Sequence, residues 1–209
     1  MNELIVEIEN EDFIIVGGDP IIKRYIIKVD PLVEINKASY FFKRVNEILT
    51  MDVRWKSYNF EYVGIEDFNS PNNTLPSKDY DFIIVLLDRS TKHKLLEMTN
   101  SKLQDQPLTD GSGSPIDFKS VEFSYTFFTT PAVVVIDNDN WETSHKKLEI
   151  SKTFYEQYVI FHEVGHAIGK SHKPIPIDIN KPYPIMYQAT LGLPDLKRFV
   201  PYPNESDEN

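Results

Sequence analysis

Blocks of apolar and polar residues along the first half of the chain predict alternating strands and helices. Residues 24–29 have strand character and follow a turn at 17–20. In residues 36–50 the apolar positions recur at helical spacing, which predicts an amphipathic helix. Residues 58–65 alternate as a strand, and residues 80–87 form the nearly continuous apolar run of a strand buried on both faces. This order of elements predicts an α/β sheet.

The pattern turns polar over residues 88–117, which predicts a long surface connection with a short helix around 94–103. Residues 121–128 and 132–137 then have the pattern of two further strands, followed by a loop through Trp141.

A second long helix is predicted from about residue 153 to 170. Thr153 and Glu156 have the spacing of a capping box, in which two side chains satisfy free N–H groups at a helix start. His162 and His166 lie four residues apart on this helix, so both side chains project from one face, about 6 Å apart along the axis. That spacing suits two ligands of a tetrahedral zinc ion.

The neighbouring residues complete a predicted catalytic zinc site. Glu163 is rotated about 100° around the helix from the first ligand, so we expect it beside the metal as the general base. Gly169 is able to adopt the positive φ that ends a helix, which would bring His172 to the metal from another direction. The sequence therefore predicts zinc bound by His162, His166 and His172, with a fourth position for water.

Positions 162–172 read H-E-x-x-H-x-x-G-x-x-H, which resembles the zinc motif of the metzincin metallopeptidases at every defining position. Met186 lies fourteen residues after His172, in the letters P-I-M-Y at 184–187. This segment resembles the methionine-containing turn (Met-turn) of metzincins and is most similar to that of the matrixins, the matrix metalloproteinase type. The resemblance implies that Met186 forms an apolar floor below the three imidazoles.

Another large group of H-E-x-x-H peptidases takes its third ligand, a glutamate, from a second helix. Here four prolines at positions 174–184 disfavour such a helix, since proline removes helix hydrogen bonds and clashes with the preceding turn. No glutamate lies between Glu163 and Glu205. The sequence thus favours His172 as the third ligand.

The resemblance covers about residues 22–203 and implies an α/β (α+β) catalytic domain. Its expected features are a twisted, mixed five-stranded sheet with an antiparallel edge strand, a zinc-bearing helix and the Met-turn. Residues 1–21 are then an N-terminal extension, in which V-G-G-D at 16–19 partly matches an astacin propeptide motif. One hypothesis is an inhibitory prosegment with Asp19 on the zinc, and a simple turn is the alternative. Residues 204–209 are predicted to be an acidic, disordered tail.

Two further segments are similar to ion-binding segments of matrixins, namely D-G-S-G at 110–113 and the stretch around Asp137. Asp117 and Val134 stand about where matrixins place histidines for a structural zinc, so we expect no second zinc. Calcium bound by Asp137 and Asp139 is one interpretation, because hard cations prefer several oxygen ligands. A solvated acidic turn is the other.

The resemblance implies a zinc-dependent metalloendopeptidase that hydrolyses a protein or peptide substrate, with water activated at the zinc and Glu163 as general base. Substrate is expected along an edge strand within 121–128, in contact with Phe123 and Tyr125. Tyr187 and the residues that follow it would wall the pocket for the residue after the scissile bond. The alternatives are a non-proteolytic zinc-binding module or antagonist, and a highly selective processing enzyme of the cell interior.

Composition fits one domain. The 209 residues are 41% hydrophobic, which supports one core, and we expect a monomer. The formal net charge of −10 argues against nucleic acid and anionic membranes as partners.

Cysteine is absent, so disulfides and a cysteine switch are excluded. The first residues lack signal-peptide features, which indicates a cytoplasmic location by default, or an extracellular one if a signal has been removed.

Overall fold

The computed structural model describes residues 5–6, 14–15, 20–52, 55, 57–64, 80–102, 124–188 and 195–207. Within these ranges the strands are β1 (Ile5–Val6), β2 (Ile14–Ile15), β3 (Ile21–Val29), β4 (Tyr58–Tyr62), β5 (Phe82–Leu87), β6 (Tyr125–Phe127) and β7 (Ala132–Asp137). The α-helices are α1 (Ile35–Leu49), α2 (Arg89–Lys102), α3 (Asn138–Lys147) and α4 (Lys152–Ala167).

Five of the strands form one mixed sheet in the order β4-β3-β5-β7-β6. The pairs β3–β4, β3–β5 and β5–β7 are parallel, while β6 runs antiparallel to β7 at the edge. Strands β1 and β2 form a separate antiparallel pair. The predicted α/β (α+β) class, with a mixed five-stranded sheet and an antiparallel edge strand, is confirmed. Residues 121–123 of the strand predicted at 121–128 lie outside the described ranges.

Helices α1 and α4 cover one face of the sheet and share a single apolar core with it. Phe41 and Val45 of α1 are fully buried, as are Phe161 and Val164 of α4. They belong to the same cluster as Val134 of β7. The predicted amphipathic helix at 36–50 therefore forms because its apolar stripe has this core to pack on.

A buried ion pair fixes how α1 and α4 lie against each other. The side chain of Glu156 on α4 is completely buried, and its carboxylate accepts a hydrogen bond from Arg44 Nε at 2.9 Å. The hydroxyl of Tyr40 donates to the same carboxylate at 2.8 Å. Two donors from α1 thus satisfy a charge on α4 that has no access to water.

This ion pair corrects the predicted capping box. The N-cap of α4 is Ser151, whose hydroxyl accepts from the N–H of Phe154 at 3.2 Å. Thr153 lies inside the helix, and Glu156 turns inward to Arg44 instead of back to the helix start. The helix ends at Ala167, three residues earlier than predicted.

Two predicted loops contain helices. Helix α2 begins at Arg89, directly after β5, and not near residue 94. The predicted loop through Trp141 is α3, whose N-cap Asp137 accepts from the N–H of Asn140 at 2.9 Å. Trp141 is buried with its ring edge-on to Phe41, so one large aromatic anchors an otherwise polar helix to the core.

The folded part of the chain extends beyond both predicted ends of the catalytic domain, residues 22 and 203. Ile21, assigned to the extension, pairs with Tyr58 in the sheet, and Asp19 lies outside the described residues. The prediction of a disordered tail is wrong for residues 204–207, because Glu205–Asp207 form a 3₁₀ turn in which Ser206 and Asp207 are buried.

Among the described residues, no helix is both long and apolar enough to cross a membrane.

Candidate metal centre

Helix α4 and the turn after it bring three histidines together. His162 and His166 lie one turn apart near the end of α4. Gly169 has φ +88°, in the left-handed region that favours glycine, and the chain reverses there. His172 follows this reversal, and its ring centroid lies 5.2 Å from that of His162 and 4.7 Å from that of His166.

The distances between the ring nitrogens fit a single small cation. One ligand atom from each histidine lies within 4.8 Å of the others. Nε2 of His166 and Nε2 of His172 are 3.1 Å apart. Two nitrogens that bind one metal ion at about 2.0–2.1 Å in tetrahedral geometry are about 3.3 Å apart, so the spacing of this pair suits two ligands of one ion. This group is the candidate metal centre.

Backbone carbonyls set the proton position on two of the rings. Nδ1 of His162 lies 2.8 Å from the carbonyl oxygen of Ile185, and Nδ1 of His166 lies 2.9 Å from that of Lys170. A carbonyl only accepts, so Nδ1 carries the proton in each ring and Nε2 keeps a free lone pair. Burial, followed by the nearby His166 and His172, lowers the pKa of His162 to about 3, so this imidazole is neutral at neutral pH.

Glu163 lies beside the histidines and is held by the edge strand. Its side chain is buried, and the hydroxyl of Thr126 on β6 lies 2.9 Å from its Oε2 and 3.0 Å from its backbone carbonyl. Burial raises the pKa of Glu163 to about 8, against the opposing hydrogen bond from Thr126. A carboxyl group with a raised pKa next to a metal site is suited to proton transfer near neutral pH.

Residues 184–187 form a turn that packs against α4, next to His162. The N–H of Tyr187 donates to the carbonyl of Pro184 at 2.9 Å, and Met186 is buried. A Cβ built on Gly165 would lie only 2.5 Å from Sδ of Met186. Only glycine at 165 lets the methionine approach the helix this closely. The segment between His172 and this turn has no helix, as its prolines predicted.

Asp207 lies below the same turn. Its Oδ2 accepts from the N–H of Ile185 at 2.9 Å, and its Oδ1 accepts from the N–H of Met186 at 3.1 Å. The N–H of Asn204 also donates to Oδ2, at 3.0 Å. Burial raises the pKa of Asp207, but all three of these partners are donors, so the group is used here as an acceptor.

A cleft of about 780 Å³ opens in front of the histidines. One wall is the edge strand with Thr126 and the exposed Phe128, whose ring faces His166 edge-on at 6.1 Å. The others come from α3 and α4, and the lining includes Asn140, Ser144, Lys147, Leu148, Tyr155, Tyr158 and Val159. The side of the cleft formed by α3 was not predicted.

The three residues predicted to contact substrate differ in where they lie relative to the cleft. Phe123 lies outside the described residues. Tyr125 borders the cleft, but its ring packs on Phe127, on the face of β6 opposite to Thr126. Tyr187 is not among the described residues that line the cleft. Its ring is buried against Tyr183, and its carbonyl accepts from the hydroxyl of Tyr158 at 3.1 Å, so its placement indicates packing.

The residues predicted to bind calcium are paired with cations of the chain itself. Asp137 is fully buried and forms ion pairs with Arg89, at 3.0 Å, and with Lys92. Asp139 pairs with Arg89 at 3.4 Å. Burial alone would raise the pKa of Asp137, but hydrogen bonds from Arg89, Lys92 and Asn140 outweigh it and lower the pKa. This cluster offers no free anionic site for calcium. The segment at 110–113 lies outside the described residues.

Among the described residues, the sequence analysis missed Thr126 and Asp207, which contact Glu163 and the turn at 184–187. Strand alternation carried a signal for Thr126, because it must face the opposite side from Tyr125 in the predicted edge strand. Asp207 carried no signal, since its contacts depend on the return of the chain to the turn at 184–187.

A family model described as a protein of unknown function (DUF3152) matches residues 16–205. No curated protein matches the chain.

Proposed function

Since the chain belongs to the DUF3152 family, whose description assigns no activity, we propose its function from the site itself: a zinc-dependent metalloendopeptidase of the metzincin type. The observation that carries the proposal is the convergence of three imidazoles next to a buried carboxylate, at the wall of a cleft.

The donor set favours zinc. Three neutral imidazoles are borderline ligands, which suit zinc and other late transition metals better than calcium or magnesium. Structural zinc sites in proteins have four protein ligands, whereas catalytic sites have three and leave a position for water or substrate. Among the described residues only three histidines converge here, and they border the cleft, which fits the catalytic kind.

A bound zinc ion supplies a Lewis acid that polarises a carbonyl and lowers the pKa of water at the site. With the positive charge of a metal ion nearby to favour its ionised form despite burial, Glu163 would accept a proton from the attacking water on its carboxylate and return it to the leaving nitrogen. The hydroxyl of Thr126 contacts Oε2 at 2.9 Å and restricts the carboxylate to one orientation. Strand β6, which is the edge of the sheet among the described residues, offers main-chain N–H and C=O groups to an extended peptide.

Three features support the metzincin type. The third histidine follows a glycine with positive φ, as the motif H-E-x-x-H-x-x-G-x-x-H requires. Met186 lies in a turn that packs against the histidine-bearing helix at Gly165, and the sheet has an antiparallel edge strand whose Thr126 contacts Glu163. These features agree with the resemblance in the sequence, and the matrixin branch within the metzincins is supported by the residues P-I-M-Y and by the matrixin-like segments at 110–113 and around Asp137.

The variant Glu163→Gln tests the proposal, because it keeps the size of the side chain and removes the base. We expect it to bind one zinc per chain and to lose about 10²- to 10⁴-fold in the rate of peptide cleavage. Cleavage is measured with a quenched fluorogenic peptide library, with and without a zinc chelator, and zinc by elemental analysis.

Glu97→Gln is the matched control, since Glu97 is exposed on α2, far from the histidines in the chain, and should cleave like the wild type. Full activity of Glu163→Gln would exclude Glu163 as the base. A wild-type protein that binds zinc but cleaves no peptide would favour the non-proteolytic module or antagonist instead.

A further inference from the structure

One peptide group connects Asp207 to the first histidine of the motif. The peptide bond between Ile185 and Met186 presents its C=O to Nδ1 of His162 at 2.8 Å. The N–H of the same peptide group donates to Oδ1 of Asp207 at 3.1 Å. The carboxylate and the imidazole therefore lie at opposite ends of a single conjugated amide.

Hydrogen bonds at the two ends of an amide strengthen each other. Delocalisation between nitrogen and oxygen means that an acceptor at the N–H increases the negative charge on the carbonyl oxygen. A more negative carbonyl of Ile185 is a better acceptor for the Nδ1 proton of His162. An imidazole whose Nδ1 proton is strongly held offers a more basic Nε2 and a fixed ring orientation to a metal.

We propose that Asp207 is a positioning residue of the metal centre, acting on His162 through the Ile185–Met186 peptide group. The arrangement is a carboxylate–peptide–histidine relay, in place of direct contact between carboxylate and imidazole. The proposal rests on the metal-binding part of the proposed function and adds to it a residue 35 positions beyond His172, outside the motif.

The segment around Asp207 has anchors that do not touch this peptide group. The hydroxyl of Ser206 donates to the carbonyl of Pro182 at 2.8 Å, and the side-chain amide of Asn204 donates to the carbonyl of Tyr183 at 2.8 Å. These bonds dock residues 204–207 on the chain before the turn. The effect of the carboxylate is therefore separable from the effect of docking.

The test compares Asp207→Asn with Ser206→Ala. The asparagine keeps the shape of the side chain but loses the charge and places an NH₂ group where one N–H donor now binds. Zinc affinity is measured by competition with a fluorescent chelator, after circular dichroism has shown that both metal-free variants are folded. We expect the zinc Kd of Asp207→Asn to rise about 10- to 100-fold, and that of Ser206→Ala to stay within about threefold.

Equal zinc affinity of Asp207→Asn and the wild type would overturn the relay. It would equally be overturned if Ser206→Ala lost as much affinity as Asp207→Asn, because docking of the segment would then explain the effect.

A measurement on the wild type covers the case in which Asp207→Asn does not fold. Coupling between two sites is reciprocal, so zinc must strengthen the bond from Met186 to Asp207 if that bond strengthens zinc binding. We expect the amide proton resonance of Met186 to move downfield on zinc loading, while that of Phe154, at the other end of α4, stays in place. An unmoved Met186 resonance contradicts the relay.

Different results would contradict the proposed function and the relay. A wild-type chain that binds no zinc contradicts the proposed function and the relay with it. A wild type that binds zinc, with an unchanged Asp207→Asn, contradicts the relay alone.

Discussion

Gly165 allows a close approach between the histidine-bearing helix and the turn at 184–187. A Cβ there would lie 2.5 Å from Sδ of Met186 and 2.9 Å from the indole ring of Trp55. Both neighbours are buried, so neither has open space to move into. We expect Gly165→Ala to lower the free energy of unfolding by about 1–3 kcal/mol, as overpacking of a core does. Urea unfolding at fixed pH measures this change.

Gly169→Asn is the matched control for that substitution. Position 169 has φ +88° and no atom within 4 Å of a built Cβ, and asparagine tolerates the left-handed region. This variant should cost less stability than Gly165→Ala. An unfolding midpoint of Gly165→Ala equal to that of the wild type would show that Met186 and Trp55 repack without cost.

Among the residues of the candidate site, the sequence predicted those that are close together in the chain. The three histidines and Glu163 lie within eleven positions, so helix geometry and one glycine were enough to place them. Thr126 reaches Glu163 from 37 positions away and Asp207 reaches Ile185 from 22. Their contacts depend on strand pairing and on the path of the returning chain, which residue spacing does not encode.

The contact between α1 and α4 depends on the buried charge of Glu156. Arg44→Met should lower the free energy of unfolding by about 3–5 kcal/mol, because the carboxylate would stay buried without its cation. The double variant Arg44→Met/Glu156→Leu should recover most of this loss, since an apolar pair of similar size has no charge to desolvate. Urea unfolding of the wild type, Arg44→Met, Glu156→Leu and the double variant forms a double-mutant cycle.

Glu47→Gln supplies the comparison for that cycle. It breaks the Arg44–Glu47 pair, in which Glu47 is 47% exposed, and should change stability by no more than about 1 kcal/mol. If Arg44→Met cost no more than Glu47→Gln, the buried pair would not hold the two helices together.

The same ion pair explains why the sequence predicted the presence of helix α4 better than the residue at which it begins. Thr153 and Glu156 match a capping box in the sequence, yet Arg44, 112 positions away, draws Glu156 into the core, and Ser151 caps the helix instead. Helix α3 was missed for a related reason. Its residues lack an apolar stripe, and a single buried tryptophan with the cap at Asp137 stabilises it.

For the whole molecule, we expect zinc to stabilise the folded state. The ligands join the end of α4 to the chain beyond Gly169, and unfolding would separate them. A ligand that binds only the folded state stabilises it by about 4 kcal/mol at 1,000 times its Kd. For a chain of this size that corresponds to a rise in Tm of about 8–16 °C. Thermal unfolding with zinc and with a chelator measures it.

Two variants separate this stabilisation from catalysis. His172→Ala should lose most of the zinc-dependent rise in Tm and most of the bound zinc, because two histidines are a weaker site. Glu163→Gln should keep the rise. A rise in His172→Ala as large as that of the wild type would exclude His172 as a ligand.

The distance between His172 and Asp207 along the chain has a consequence for synthesis. A ribosome adds about 5–20 residues per second, so Asp207 follows His172 by about 2–7 seconds. During that interval all three histidines exist, but the carboxylate that holds the Met-turn does not. A nascent chain therefore carries the three histidines without this support until Asp207 has been added.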